Sequence, residues 1–210
     1  MLPMPSRSEL ARRLPRLVLG LVLFGFGVAL LVEAGLGLAP WEVLHQGISI
    51  HTGIPIGTVG ILTGILVLLL WIPLGERVGI GTILNVFLIG IVIDLTLWLS
   101  PLEDLDTWQQ WTLLGAGTLI VAVGSGYYIG AGLGPGPRDG LMTGLARKGL
   151  PVGLARAMIE ITVLVLGWFL GGTVGVGTVV FAFGVGPLVG VILPRLSLPP
   201  VTPSRATSDQ

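Results

Sequence analysis

Cysteine is absent from the 210 residues, which excludes disulfides, thiolate zinc sites, iron–sulfur clusters and cysteine nucleophiles together. Histidine is almost absent. The two present, His45 and His51, are too few for an all-histidine metal or haem centre, so no metal or cofactor is expected. Charge is equally scarce: eleven basic and eleven acidic side chains, 10% of the chain, sum to zero. That is too little to coat a soluble domain of this size. It also leaves no basic stripe for nucleic acid, which is excluded as a partner. There is no P-loop, no Gly-x-Ser-x-Gly elbow and no His-Glu-x-x-His helix, so no enzymatic activity is expected.

What is abundant is apolar surface, with 52% hydrophobic residues and a mean hydropathy of +0.94. The 34 glycines and 15 prolines punctuate long apolar runs, a pattern that membrane helices tolerate. An all-α polytopic membrane protein follows, with the lipid bilayer as its first partner. Runs of the length needed to cross about 30 Å of hydrocarbon fall at residues 17–34, 56–74, 79–99, 113–131, 152–170 and 174–193. The first follows Arg12, Arg13 and Arg16 like a signal peptide, but lacks a small-residue cleavage site and reads as a retained anchor.

Basic residues near span ends stay cytoplasmic, and here the distribution is one-sided. Arg7, Arg12, Arg13, Arg16, Arg77, Arg138, Arg147, Lys148, Arg156, Arg195 and Arg205 all fall on one side of the six spans. Glu42, His45, His51, Glu103, Asp104, Asp106, Trp108 and Trp111 fall on the other. Both termini are expected in the cytoplasm of a prokaryotic cell, with a cytoplasmic segment at 1–16, an external loop at 100–112 and a disordered tail at 194–210.

The chain also repeats itself. Residues 34–44 align with residues 131–141 at an offset of 97, pairing Gly35, Gly37, Pro40 and Glu42 with Gly132, Gly134, Pro137 and Asp139. At an offset of 96, Gly53, Pro55 and Gly57 meet Gly149, Pro151 and Gly153, and Gly79, Gly81 and Thr82 meet Gly175, Gly177 and Thr178. Phe87 and Gly90 meet Phe183 and Gly186. Each half (17–99 and 113–193) holds three spans, and an odd number forces the second copy to enter from the opposite face. A 3+3 inverted-topology repeat is expected, the plan of many secondary transporters.

The strings GLGLAPWE (35–42) and GLGPGPRDGLM (132–142), with VGIGT (78–82) and VGVGT (174–178), resemble the YczE/YitT-like family of bacterial integral membrane proteins over about residues 15–195. Glu42 stands where the family pattern has Asp. The resemblance implies a bacterial cytoplasmic-membrane protein and no particular chemistry.

After the first span of each half, glycine breaks the helix and Pro40 or Pro137 suits the first turn of a new short one. Helix N-termini inside the protein would attract an anion; lying flat on opposite membrane faces, they would be interfacial anchors. Both placements are open from sequence. The fifth span carries Arg156 and Glu160 one turn apart, a pair whose depth marks it for function or for pinning that span to Arg138 or Asp139. Candidate substrate-binding residues are therefore Gly35, Gly37, Pro40, Trp41, Glu42, Gly132, Gly134, Pro137, Arg138, Asp139, Arg156 and Glu160.

Glu33 and Asp94 are expected to reach water, His45 and His51 to be solvated outside, and Tyr127 and Tyr128 to join interfacial belts. Asn85 lines a polar path or bonds across helices. A small transporter or exporter of a polar or anionic solute fits these features, with a homodimer expected because six helices enclose little protein. A non-transporting assembly component and a passive channel are the alternatives.

Overall fold

The computed structural model describes residues 6–99, 102 and 104–199. These form eight helices and no strand: α1 (Arg7–Ala34), α2 (Pro40–Thr52), α3 (Ile56–Leu74), α4 (Ile80–Leu99), α5 (Thr107–Gly130), α6 (Pro137–Arg147), α7 (Val152–Phe169) and α8 (Val176–Leu196). Six are long and apolar enough to cross a bilayer, and they coincide with the six expected spans. The chain is a multi-pass, all-helical membrane protein.

Element ends shift where capping chemistry overrides hydropathy. Ser6 accepts the Glu9 N–H at 3.3 Å while Glu9 accepts the Ser6 N–H at 3.4 Å, so α1 starts at Arg7, within the segment assigned to the cytoplasm. In the same way the Asp106 N–H donates to Gln109 Oε1 at 2.8 Å, and α5 starts inside the expected external loop. At the other end, α8 continues to Leu196 and the Leu198 N–H donates to the Gly130 carbonyl at 2.9 Å. Residues 194–199 are therefore ordered, contrary to the expected tail. Its remainder, with Arg205, lies outside the described residues, as does Glu103.

The two chain ends meet. Arg13, 2% exposed, donates to the Ala131 carbonyl at 2.9 Å and the Pro199 carbonyl at 2.5 Å, and Arg16 donates to the Leu196 carbonyl at 2.7 Å. These arginines do more than flank a span. They satisfy carbonyls at the C-terminus of α8, where the helix dipole favours a cation. This face of the bundle is called the termini end below, and the opposite face the far end.

At the centre α1 and α5 run antiparallel with their backbones in contact. A methyl group added at Gly20 would lie 2.7 Å from the Gly124 carbonyl oxygen, and one at Gly27 would lie 2.9 Å from that of Gly117. Such proximity is open only to small residues. The offset of 97 pairs Gly20 with Gly117 and Gly27 with Gly124. The contacts are thus reciprocal: the residue that Gly20 touches is the mate of the residue that Gly117 touches.

The same reciprocity extends outward. The loop after α1 docks on the start of α8, where the Gly177 N–H donates to the Leu36 carbonyl at 2.7 Å; the loop after α5 docks on the start of α4, where the Gly81 N–H donates to the Leu133 carbonyl at 2.9 Å. Gly37 and Gly134 take φ of +112° and +131° there, a region closed to residues with a Cβ. Across the bundle α2 packs on α7 and α6 packs on α3.

The α1–α5 seam makes a specific demand. Gly20→Leu or Gly124→Leu must force two backbones apart, at a cost of about 1–3 kcal/mol or more, and should lower the melting temperature in detergent. Gly115→Leu, with nothing within 4 Å of its position, should leave it unchanged.

Candidate functional site

The short helices run from the interior to opposite ends of the bundle. Along α2, Trp41 packs with Val67 near the middle of α3. Farther on, Thr63 Oγ1 and His45 Nε2 are 2.8 Å apart, and Ser49 Oγ donates at 2.6 Å to the Ile54 carbonyl just before α3. So α2 descends to the far end. Along α6, the Trp71 indole donates to the Pro137 carbonyl at 3.0 Å, Thr143 donates to Glu76 at 2.8 Å, and Arg147 pairs with Glu76 at 2.9 Å. So α6 exits at the termini end. Neither lies flat along a face.

Their first turns meet inside. Arg138 Nη2 donates to Glu42 Oε1 at 2.5 Å, joining the two short helices by one ion pair. Glu42 is 4% exposed, and the Arg138 guanidinium also sits over the Trp41 ring, 5.1 Å from its centroid. Glycine at 140 lets α6 lie against α3, because the Trp71 ring occupies the space a side chain there would need.

Beside the pair lies a chamber of about 300 Å³, walled by Trp41, Glu42, Pro137, Arg138 and Asp139, by Asn85, Ser125 and Tyr128, and by the apolar Phe24, Phe181 and Val185. Asp139 accepts the Tyr128 hydroxyl at 3.3 Å. The Trp41 Nε1–H is buried and has no partner among the described residues, and the N-caps Ala39 and Gly136 offer no side-chain acceptor to their helices. The open donors at this point are thus an indole N–H and the rest of the Arg138 guanidinium, beside two helix N-termini that no N-cap side chain covers. That set suits an acceptor-rich or anionic group.

The expected site residues divide into three groups. Pro40, Trp41, Glu42, Pro137, Arg138 and Asp139 share the chamber, and Arg156 and Glu160 stand at its edge. Gly35, Gly37, Gly132 and Gly134 lie outside its wall, in the two docking loops. Arg156 Nε donates to Glu160 at 2.8 Å, with 58% of the arginine side chain exposed, so this pair binds itself and does not pin α7 to Arg138 or Asp139.

Other expectations are corrected. His45 is 5% exposed and bound to Thr63, because α2 points inward. Asp94 does not reach for water; it caps α3, accepting the Gly57 N–H at 2.6 Å and the Thr58 N–H and hydroxyl at 2.7 Å each. Glu33 stays partly exposed, as expected, and accepts the Leu102 N–H at 3.1 Å. Tyr128 is buried at the chamber, edge-on to Phe24. Ser125, Phe24 and Met142 carried no sequence signal for the site, since apolar and hydroxyl residues inside a span look alike whichever way they face.

The chain matches the family of unknown function DUF6198 over residues 11–194. It belongs to this family. Among relatives of the DUF6198 chain, an uncharacterized protein of Haemophilus influenzae is 40% identical over 179 residues, covering 84% of this chain and 81% of the relative. The uncharacterized membrane protein YczE of Bacillus subtilis is 36% identical, covering 92% and 88%, which bears out the resemblance read from the two motifs. The uncharacterized protein YyaS of the same bacterium is 24% identical, covering 84% and 90%. No solved structure matches the DUF6198 chain.

The ion pair is asymmetric, and so is the penalty for breaking it. Arg138→Met strands the buried Glu42 and should cost about 3 kcal/mol, near the low end for a buried pair because the arginine is partly exposed. Glu42→Gln leaves a cation that can turn to the chamber and should cost less. Thermal unfolding of the two variants in one detergent checks the order.

Proposed function

We propose that this chain is a small secondary transporter or exporter, built as two inverted three-span repeats, that carries a small polar or anionic solute through the central chamber. The observation that carries the reading is the meeting of two half-length helices, entering from opposite ends, at a buried charged joint beside a cavity. Irregular backbone and free amides at that depth are tolerated where they line a polar space. Charges there cost about 2.5–3.5 kcal/mol each even on the lenient insertion scale, a cost that a purely structural core avoids with apolar residues.

The reciprocal contacts of α1 with α5 support the repeat reading. A two-fold axis in the membrane plane would exchange the halves, with the solute held where the axis meets the chamber. On this reading the solute's anionic or acceptor group lies against Trp41 Nε1, Arg138 and the first turn of α6. Asp139 is the proton or cation site, and Arg156 and Glu160 guard the exit. On this reading the termini end, where Arg13, Arg16 and Arg147 lie, faces the cytoplasm by the positive-inside rule.

The lack of cysteine permits a direct test. Glu42→Cys and Asp139→Cys are each labelled in intact cells and in inverted vesicles with a small membrane-impermeant maleimide. Slow labelling of either position, reachable from both sides or altered by an added small carboxylate or inorganic phosphate, is the expected result. Free labelling of each position from its own end alone overturns the central site. For a transported solute, Asp139→Asn and Glu160→Gln should abolish uptake at normal protein levels; loss of the protein itself, or of a co-purifying partner, points to an assembly component.

A further inference from the structure

The two halves match in sequence but differ in packing where the second and third spans of each meet, and that difference has a direction. At the far end the start of α3 and the later part of α4 are closed together. Gly57 and Gly90 are buried against each other's backbone, so that a methyl group on either would collide with the other's carbonyl. Asp94 then bridges the two helices through its three hydrogen bonds to Gly57 and Thr58.

The corresponding residues at the termini end are Gly153 on α7 and Gly186 on α8, at the same offset of 96. Both are exposed, with nothing among the described residues within 4 Å of the position of a side chain. Helices α7 and α8 barely touch, whereas α3 and α4 pack extensively. Two glycines that serve a tight helix crossing in one half are thus retained in the other without any crossing to serve. The mate of Asp94 is Gly190, so the second half has no latch.

The interior is divided along the same line. The chamber reaches Arg156, Glu160, Gly186 and Val189, on the side of the open pair. Beyond Trp41, Glu42 and Arg138 there is a smaller space of about 50 Å³, walled by Gly60, Thr63, Gly64, Val86 and Ile93, on the side of the closed pair. The ion pair and the indole stand between them.

Building on the transporter reading, we propose that the chain has a second conformation in which the packing is exchanged. In it α7 and α8 close through Gly153 and Gly186, while α3 and α4 part and the small space becomes the open chamber. Each pair of helices is a gate, and this structure has the termini-end gate open. Asp94 biases the resting state, because the far-end gate alone carries a carboxylate cap on an opposing helix N-terminus. A bistable pair of packings of this kind is what alternating access requires.

Paired cysteines in native membranes test it. A methyl group at Gly64 would lie 3.7 Å from Val86 Cβ, within disulfide range, so Gly64→Cys/Val86→Cys should cross-link at once and serves as the control. The mates of Ile61 and Gly90, which touch across the closed gate, are Ala157 and Gly186. Ala157→Cys/Gly186→Cys should cross-link slowly in the otherwise native chain. Adding Asp94→Asn, which weakens the latch, should speed that cross-link about tenfold. Gly57→Leu, which wedges the far-end gate, should do the same, so the test survives if either variant folds poorly.

Failure of the Ala157–Gly186 pair to cross-link in any background, while the control does, overturns the exchange. So does a rate indifferent to Asp94→Asn. The reading on which the proposal rests fails separately: gates that exchange in a protein that carries no solute retain the conformational change and remove the transport. Saturable uptake by a chain whose α7 and α8 never close retains the transport and removes the exchange.

Discussion

Everything in this bundle is arranged around two helices whose backbones touch. Four glycines let α1 and α5 approach until the carbonyl oxygens of one abut the Cα atoms of the other, and inside a membrane such close van der Waals contact replaces the hydrophobic drive that holds soluble cores. The seam fixes the other elements by direct attachment. α4 packs on α1 and α8 on α5, and each loop leaving the seam grips the helix start belonging to the other half. Because the loops reach across, neither half has a complete interior of its own.

This exchange brings charge to the middle of the molecule. A helix that begins after a docked loop cannot start at the membrane surface, so α2 and α6 begin deep and carry their first-turn side chains with them. Glu42 and Arg138 satisfy each other there, at the position where each would be most expensive alone. Their counterparts do not form a second such pair, since Trp41 occupies the place equivalent to Arg138. The result is one neutralised joint beside one carboxylate, Asp139, whose bonded side-chain partner is the neutral phenol of Tyr128.

The sequence carried the helices themselves legibly, because length and apolarity suffice for spans and Gly-Pro punctuation suffices for the short helices. Glycine, proline and acidic residues recurring in order 97 and 96 positions apart made the repeat itself an expectation of the sequence alone. Depth was harder. His45, Asp94 and Tyr128 were read as facing water because a polar residue near a span end does so by default, and only three-dimensional placement reveals the helix start or hydroxyl each one serves. In the docking loops Gly37 and Gly134 use their backbone freedom for the close approach of the starts of α8 and α4, a use that leaves the same mark in a sequence as the close approach of a ligand.

The anchoring of Arg13 and Arg16 bears on how the chain is made. Their carbonyl partners at Leu196 and Pro199 lie 180 and 186 residues downstream, and at about 5–20 residues per second a ribosome needs about 10–40 s to produce them. Until then Arg16 lacks the Leu196 carbonyl and Arg13 lacks that of Pro199, keeping Glu9 at 3.7 Å and, once α5 is made, the Ala131 carbonyl at 2.9 Å. Joining these arginines to their carbonyls closes the oldest part of the chain on the newest, and it can happen only after α8 has been made.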